Sequence, residues 1–267
     1  MPIQAGAWKA GTRNDSNFAA HILHAGQASG QASQSKCDVS VPATASRAAT
    51  SDRGLFSEVY ADYRRYRASG ARSGLSVIIF TQGFWASAVF RASHRAIRRL
   101  TLPGLRSIVK TICILMQKFI EFLTGISIPA SCSIGAGLYI GHFGGIFVDS
   151  DCRIGMNCNL SQGVTIGKGG RGSLYGVPVL GDRVHVGANA LLLGKITIGN
   201  DAVIGPGAVV MSSVPARGVA MGNPARIVGL DGSFEFIRYD GMETDPNRLS
   251  QFQVNAPVST PNASEQS

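Results

Sequence analysis

The sequence predicts an α+β chain: a helical amino-terminal domain over residues 51–125, then a parallel β-helix over 126–229. Three observations lead there. From residue 128 onward apolar residues recur every six positions, at Ile134 and Ile140, then Val148, Ile154, Leu160 and Ile166, then Leu180, Val186, Leu192, Ile198, Ile204 and Val210. Two positions ahead of these stand compact residues, among them Cys132, Cys152, Cys158, Pro178, Val184, Ala190, Ile196, Ala202 and Ala208, and glycine follows at Gly181, Gly187, Gly199 and Gly205. Upstream, Leu105, Ile108, Val109, Ile112, Leu115, Met116, Phe119, Ile120 and Leu123 form a stripe of helical period.

The helical domain is read in three parts. Phe56, Val59, Tyr60 and Tyr63 suit one amphipathic helix, residues 75–100 suit one or two more, and Pro103 and Gly104 separate these from the last. Much of the positive charge lies here, at Arg64, Arg65, Arg67, Arg72, Arg91, Arg95, Arg98, Arg99 and Arg106. A solvated helix face or a subunit contact accounts for such a run most simply. A weak contact with a membrane surface, or a polymer-binding face, is the alternative.

In the second domain each hexad supplies one short strand and a turn, and three hexads close a triangular coil. The twelve positions therefore make about four coils stacked ~4.8 Å apart. An α-helix would scatter a six-residue spacing around its circumference. The register slips twice. Ile140 to Val148 is an interval of eight, with the surplus inside "GHFGG", and Ile166 to Leu180 is fourteen, which reads as two hexads plus two extra residues. Insertions in a solenoid bulge outward and often mark the binding face. The first slip holds His142 and the second, "GKGGRGSLYG", holds Lys168 and Arg171.

Composition sets further bounds. Residues 1–50 and 230–267 are polar and poor in large apolar side chains, so both are expected to be disordered tails. No continuous apolar run follows a basic start, and residues 105–125 are interrupted by Arg106, Lys110, Lys118 and Glu121, so neither a secretory signal nor a membrane span is expected. The five cysteines form no C-x-x-C pair, which suggests neither a disulfide framework nor a metal site, and a reducing cytoplasm fits. The formal charge of +9 is compatible with nucleic acid, anionic lipid or a phosphate-bearing small molecule; of these, nucleic acid is not expected as a partner.

The repeat, the stretch "IGHFGGIFV" (140–148) and the closing "VPARGVAMGNPARIVG" (214–229) resemble the hexapeptide acyltransferases, and among them most closely the serine acetyltransferases. The resemblance covers about residues 126–229. It implies a left-handed parallel β-helix, a homotrimer or hexamer, acetyl-CoA as co-substrate without a metal, and a histidine in a glycine-containing turn that deprotonates the hydroxyl of a small-molecule acceptor. His142 occupies that position. Histidine as a residue type suits a base at neutral pH, its ordinary pKa being ~6.5, and direct attack is favoured because no G-x-S-x-G elbow or Cys-His motif lies nearby. By resemblance Gly167, Gly187, Ala188, Gly205 and Ala208 line the coenzyme groove; Lys168, Arg171, Lys195 and Arg226 are the candidate partners for its phosphates, and Arg171 is also the candidate for the acceptor.

The chain departs from the family at four positions. Gly141 and Ser127 stand where the family has aspartates, and Gly176 and Val177 stand where it has an arginine and a histidine. The remaining candidates to hold the second ring nitrogen of His142 are a main-chain carbonyl, Ser127, Asp149 and Asp151. L-serine is the leading acceptor, which would place the chain in cysteine biosynthesis. A sugar or exported polysaccharide is the rival, and a non-catalytic trimeric scaffold is the reading of another class. The chain ends in Ser267 rather than isoleucine, so no complex with the next enzyme of cysteine synthesis is expected.

Overall fold

The computed structural model describes residues 55–70, 73–100, 102–246 and 248–249. The expected tail at 1–50 and residues 250–267 lie outside them. Four helices open the described chain: α1 (Leu55–Ala68), α2 (Gly74–Phe80), α3 (Gln82–Arg99) and α4 (Pro103–Thr124). Ser73 caps α2 by accepting from the Ser76 N–H, Pro103 opens α4, and Gly125 ends it in the left-handed conformation.

Fifteen short strands then wind into three sheets. Sheet A holds β1 (Ile126–Ser127), β4 (Ile146–Val148), β7 (Thr165–Gly167), β10 (Leu191–Leu193) and β13 (Val209–Val210). Sheet B holds β2 (Ser133–Ile134), β5 (Arg153–Ile154), β8 (Val179–Leu180) and β11 (Thr197–Ile198). Sheet C holds β3 (Tyr139–Ile140), β6 (Asn159–Leu160), β9 (His185–Val186), β12 (Val203–Ile204), β14 (Val219–Met221) and β15 (Arg226–Gly229). All pairings are parallel except β14 with β15. The fold is the parallel β-helix that the hexads predict, left-handed as the family resemblance implies, with all twelve hexad positions buried in one core.

That core explains the compact slots. Cys132, Cys152 and Cys158 point inward with Val184, Ala190 and Ala202, and burial pushes the Cys132 and Cys158 thiols up to about 12. They pack as small apolar groups.

The second slip proves different in kind from its reading as two hexads plus two. Ile166 lies in sheet A and Leu180 in the adjacent sheet B, so the chain advances by a single face and the other eight residues form an excursion. Paired hydrogen bonds between Gly169 and Gly176, each 3.0 Å, close that excursion at its base. The period alone could not separate twelve plus two from six plus eight.

Two parts of the basic helical region are buried ties rather than solvated charge. Arg91 donates to Asp62 through Nε and Nη2, both at 3.0 Å, and to the Ile134 and Gly135 carbonyls at 2.6 and 2.7 Å. Asp62 also accepts from the Gly137 and Leu138 N–H groups at 2.9 Å. Arg65 reaches the Gly137 carbonyl and the Asn159 side chain. Helices α1 and α3 are thereby fastened to the first coil, and Ala86 and Phe90 of α3 enter the β-helix core.

The expected carboxy-terminal tail also departs from expectation, since residues 230–246 and 248–249 pack along sheet C. Ile237 is fully buried, Phe236 stacks on His185 with ring centroids 4.7 Å apart, and Ser233 bonds to the Arg183 and Asp201 carbonyls at 2.6 and 2.8 Å. Arg248 donates to the Ile237 and Phe234 carbonyls and lies over the Phe234 ring. A few aromatic and guanidinium contacts anchor this segment, which a reading of its apolar content does not register. Sheet C is thus covered by α1 and this segment.

Candidate active site

The turn holding His142 runs from β3 to β4, at the corner between sheets C and A. Its base is fixed by three layers of backbone. Ile146 N donates to Gly125 O at 3.0 Å, and Gly163 N donates to Gly144 O at 2.9 Å. A Cβ on Gly125 would stand 3.1 Å from Gly144 Cα, and one on Gly145, whose φ is +67°, would stand 3.3 Å from Gly163 Cα. Glycine at these places lets successive coils touch. The apex, Gly141 to Phe143, is exposed. His142 therefore projects from a rigid base, and its ring contacts no hydrogen-bond partner among the described residues of its own protomer.

Of the candidate partners for that ring, Ser127 is the nearest in the fold. It lies two residues past Gly125 in the preceding coil and pairs with Phe147 of β4. Asp149 and Asp151 are placed elsewhere. They sit at the far end of β4, at the corner between sheets A and B, roughly 10 Å along the strand at ~3.3 Å per residue. There Asp149 accepts from the Asp151 N–H at 3.0 Å and Asp151 is paired with Lys168 at 2.8 Å. The sequence expectation that either reaches His142 from the next turn does not hold within one protomer, because a strand separates the two corners.

The proposed coenzyme residues divide in the same way. Gly187, Ala188 and Gly205 stack below His142 at the corner between sheets C and A. Gly187 lies hard against the Gly205 backbone, and Gly205 lies under the Met221 side chain. The Ala188 N–H is without a partner among the described residues, which leaves a donor at this edge. Ala208 belongs to the same corner, but its side chain points into the core, so it contributes no wall. Arg226 begins β15, exposed and opposite Met221, with Nη1 on the Ala225 carbonyl. Gly167, Lys168 and Arg171 lie instead at the corner between sheets A and B. Arg171 is exposed at the head of the eight-residue excursion, before the 3-10 turn Gly172–Leu174. The width of sheet A, on the order of 15 Å, parts the two groups.

His185 faces outward from sheet C, under Phe236 rather than under solvent. Burial lowers its imidazole to about 4 and its Nδ1 is enclosed without a partner. It belongs to the packing of the carboxy-terminal segment.

Comparison with known proteins places this arrangement. Residues 178–211 match the family described as bacterial transferase hexapeptide (six repeats). A serine acetyltransferase of Synechococcus elongatus is 33% identical over 191 residues, which is 71% of this chain and 73% of that protein. One from Helicobacter pylori is 33% identical over 161 residues, 60% of this chain and 90% of its own length. The chain belongs to the serine acetyltransferase family. A crystal structure of the Neisseria gonorrhoeae serine acetyltransferase in complex with serine superposes with a TM-score of 0.57 and 31% identity, over 66% of this chain and 69% of that one. A soybean serine acetyltransferase complexed with serine gives a TM-score of 0.57 and 31% identity, over 65% and 69%.

As a member of that family the chain is an acyltransferase. Of the four positions at which a departure from that family is expected, Gly141, Gly176 and Val177 fall around the two corners, while Ser127 lies on sheet A against Phe147. Gly141 adjoins His142 and lies against the Tyr139 ring, and Ser127 sits in the coil above. Gly176 closes the base of the excursion and Val177 leads from it into β8.

Proposed function

We propose that the chain transfers the acetyl group of acetyl-CoA to the hydroxyl of L-serine, with His142 as general base. The single observation that carries this is the placement of His142, projecting from a rigid glycine-built base on a β-helix of the serine acetyltransferase family. In the reaction His142 takes the hydroxyl proton as the oxygen attacks the thioester carbonyl. The C–O bond forms, the C–S bond breaks on collapse of the tetrahedral intermediate, and the proton passes to the departing thiolate. Histidine suits both transfers because its pKa lies near the working pH. The Ala188 N–H, beside the glycines that permit close approach, is the donor proposed for the oxyanion. Ser127 or a main-chain carbonyl orients the imidazole.

Lys168 and Arg171 lie across sheet A from His142, whereas Arg226 lies on the His142 side. One ligand can meet both sets only if a second protomer brings its own corner alongside. This supports a cyclic trimer in which each groove is walled by two chains. Phe147, at the centre of sheet A, is exposed and offers apolar surface for that contact.

A second reading concerns the acceptor. The α-carboxylate and ammonium of serine call for charged or well-placed polar partners, and Gly141, Ser127, Gly176 and Val177 supply no charge. An acceptor hydroxyl on a sugar or polysaccharide needs none. Thiol release from acetyl-CoA, measured with L-serine and with a panel of sugars, tests both. Release with serine supports the first reading, release with a sugar alone moves the chain to glycan modification, and no release with any acceptor removes the enzymatic reading.

A further inference from the structure

Helix α1 and the segment after β15 both overlie sheet C, and where they adjoin lies a cavity of about 140 Å³ lined by Ala61, Arg64, Arg65, Asn157, Tyr239 and Asp240. It stands at the corner between sheets B and C, because Asn157 turns the chain from β5 into β6. His142 is at the opposite edge of sheet C, so the cavity is no part of the site described above.

One wall carries a charge without a counterpart. Arg65 is 2% exposed. Its Nε donates to the Gly137 carbonyl at 3.1 Å, its Nη2 to the Asn157 carbonyl at 3.5 Å and to the Asn159 side chain, and its Nη1 is enclosed without a partner. All three acceptors are neutral, and no carboxylate meets this guanidinium among the described residues. Arg91 and Arg183, equally buried, are served differently, for each is held by both oxygens of one acid, Asp62 and Asp201 respectively. Asp62, one turn before Arg65 on α1, is therefore already taken. Burial lowers the Arg65 guanidinium to about 10, which leaves it charged at neutral pH, and the groups that act on it most, Cys158, Tyr139, Tyr239 and Arg248, include no acid. A buried cation among neutral groups is costly, and an anion beside it offsets that cost.

Size and access fit such a ligand. One water needs ~10–15 Å³ of cavity, so this one has room for a tetrahedral oxyanion. Its mouth is formed by Arg64 and Asp240, each about half exposed and paired with one another at 2.7 Å. Exposed pairs of this kind contribute little to stability, so the two side chains can part and open the way to Arg65.

We propose that this cavity binds a small oxyanion of phosphate size, held by Arg65 Nη1 inside and by Arg64 at the mouth. Because α1 forms one wall and Tyr239 and Asp240 another, the occupied site fastens the carboxy-terminal segment onto α1.

The test is calorimetric titration of the full chain with inorganic phosphate, at ionic strength held constant with chloride, alongside limited digestion with trypsin. One phosphate per chain should bind and should slow cleavage after Arg238, which is exposed within the segment. Arg65→Met should weaken binding about 10- to 100-fold, as for loss of a charged hydrogen bond. Ala61→Leu fills the cavity and leaves every tie of Arg65 in place, so it should abolish both effects, and it keeps the test decisive if Arg65→Met does not fold. Lys168→Ala with Arg171→Ala should change neither effect. Failure of phosphate to protect Arg238 in the wild type, or protection that persists in Ala61→Leu, would overturn the proposal. So would loss of binding in the Lys168 and Arg171 variant, which would assign the phosphate to the corner between sheets A and B.

Discussion

At the residue scale the proposed chemistry rests on His142 and on the glycines beneath it. The ring has no partner among the described residues of its own protomer, so its removal leaves no buried group stranded, and the loss should fall on turnover rather than on folding. His142→Ala is expected to lower kcat by about 10² to 10⁴ with melting temperature and particle mass unchanged; near-normal turnover would remove His142 from the mechanism. Gly145→Ala should behave in the opposite way. Its φ of +67° and the 3.3 Å approach to Gly163 Cα put a methyl group in a left-handed turn between two coils, at a cost of about 1–2 kcal/mol. A fall in melting temperature accompanied by lost turnover is the expected result, because the base of the turn must shift.

At the scale of elements, two attachments made by polar groups hold the helices and the carboxy-terminal segment to the β-helix. Asp62→Ala would leave Arg91 buried without its carboxylate, and loss of one partner of such a pair costs about 3–5 kcal/mol, readable as a drop in the denaturant midpoint. His185 makes the second attachment sensitive to pH. Burial lowers its folded pKa to about 4, whereas in the unfolded chain it is ~6.5. The folded state disfavours the proton, so this contribution is intact above pH ~6.5 and is lost as pH falls toward 4. Melting temperature should decline across that window, and His185→Asn should flatten the decline; an unchanged slope in the variant would place the sensitivity elsewhere. These attachments are also what the sequence conceals. The period-six series from Ile134 to Val210 is repeated often enough to specify the β-helix, and the slip at "GHFGG" marks the His142 corner. Asp62 gives no comparable signal, being one acid in a basic helix whose partner lies 29 positions away. Phe236 is a lone aromatic in a polar stretch, and its contact with His185 exists only once sheet C is built. The placement of Asp149 was hidden for a related reason, since spacing along the chain does not say which corner of the triangle a residue turns.

For the whole molecule the deciding feature is the separation of the two corners across sheet A. His142, Gly187, Ala188 and Gly205 lie on one edge, and Gly167, Lys168 and Arg171 on the other, so a groove that uses both must draw them from two chains. In the proposed ring each copy would offer its His142 edge to one neighbour and its Lys168 edge to the other, which is the heterologous contact of cyclic assemblies. This has a genetic consequence that a site within one chain lacks. A His142→Ala chain and a chain carrying Lys168→Ala with Arg171→Ala should each be weakly active alone, at acetyl-CoA concentrations below saturation. Co-expressed and purified together through different tags, so that every ring holds both kinds of chain, they should recover about a third of the wild-type sites, because one interface of a mixed trimer then pairs an intact histidine with an intact loop. Mixed particles no more active than their parents would confine each site to a single protomer, and the cation partners of the coenzyme would then have to be sought at the His142 corner, with Arg226 the first to test.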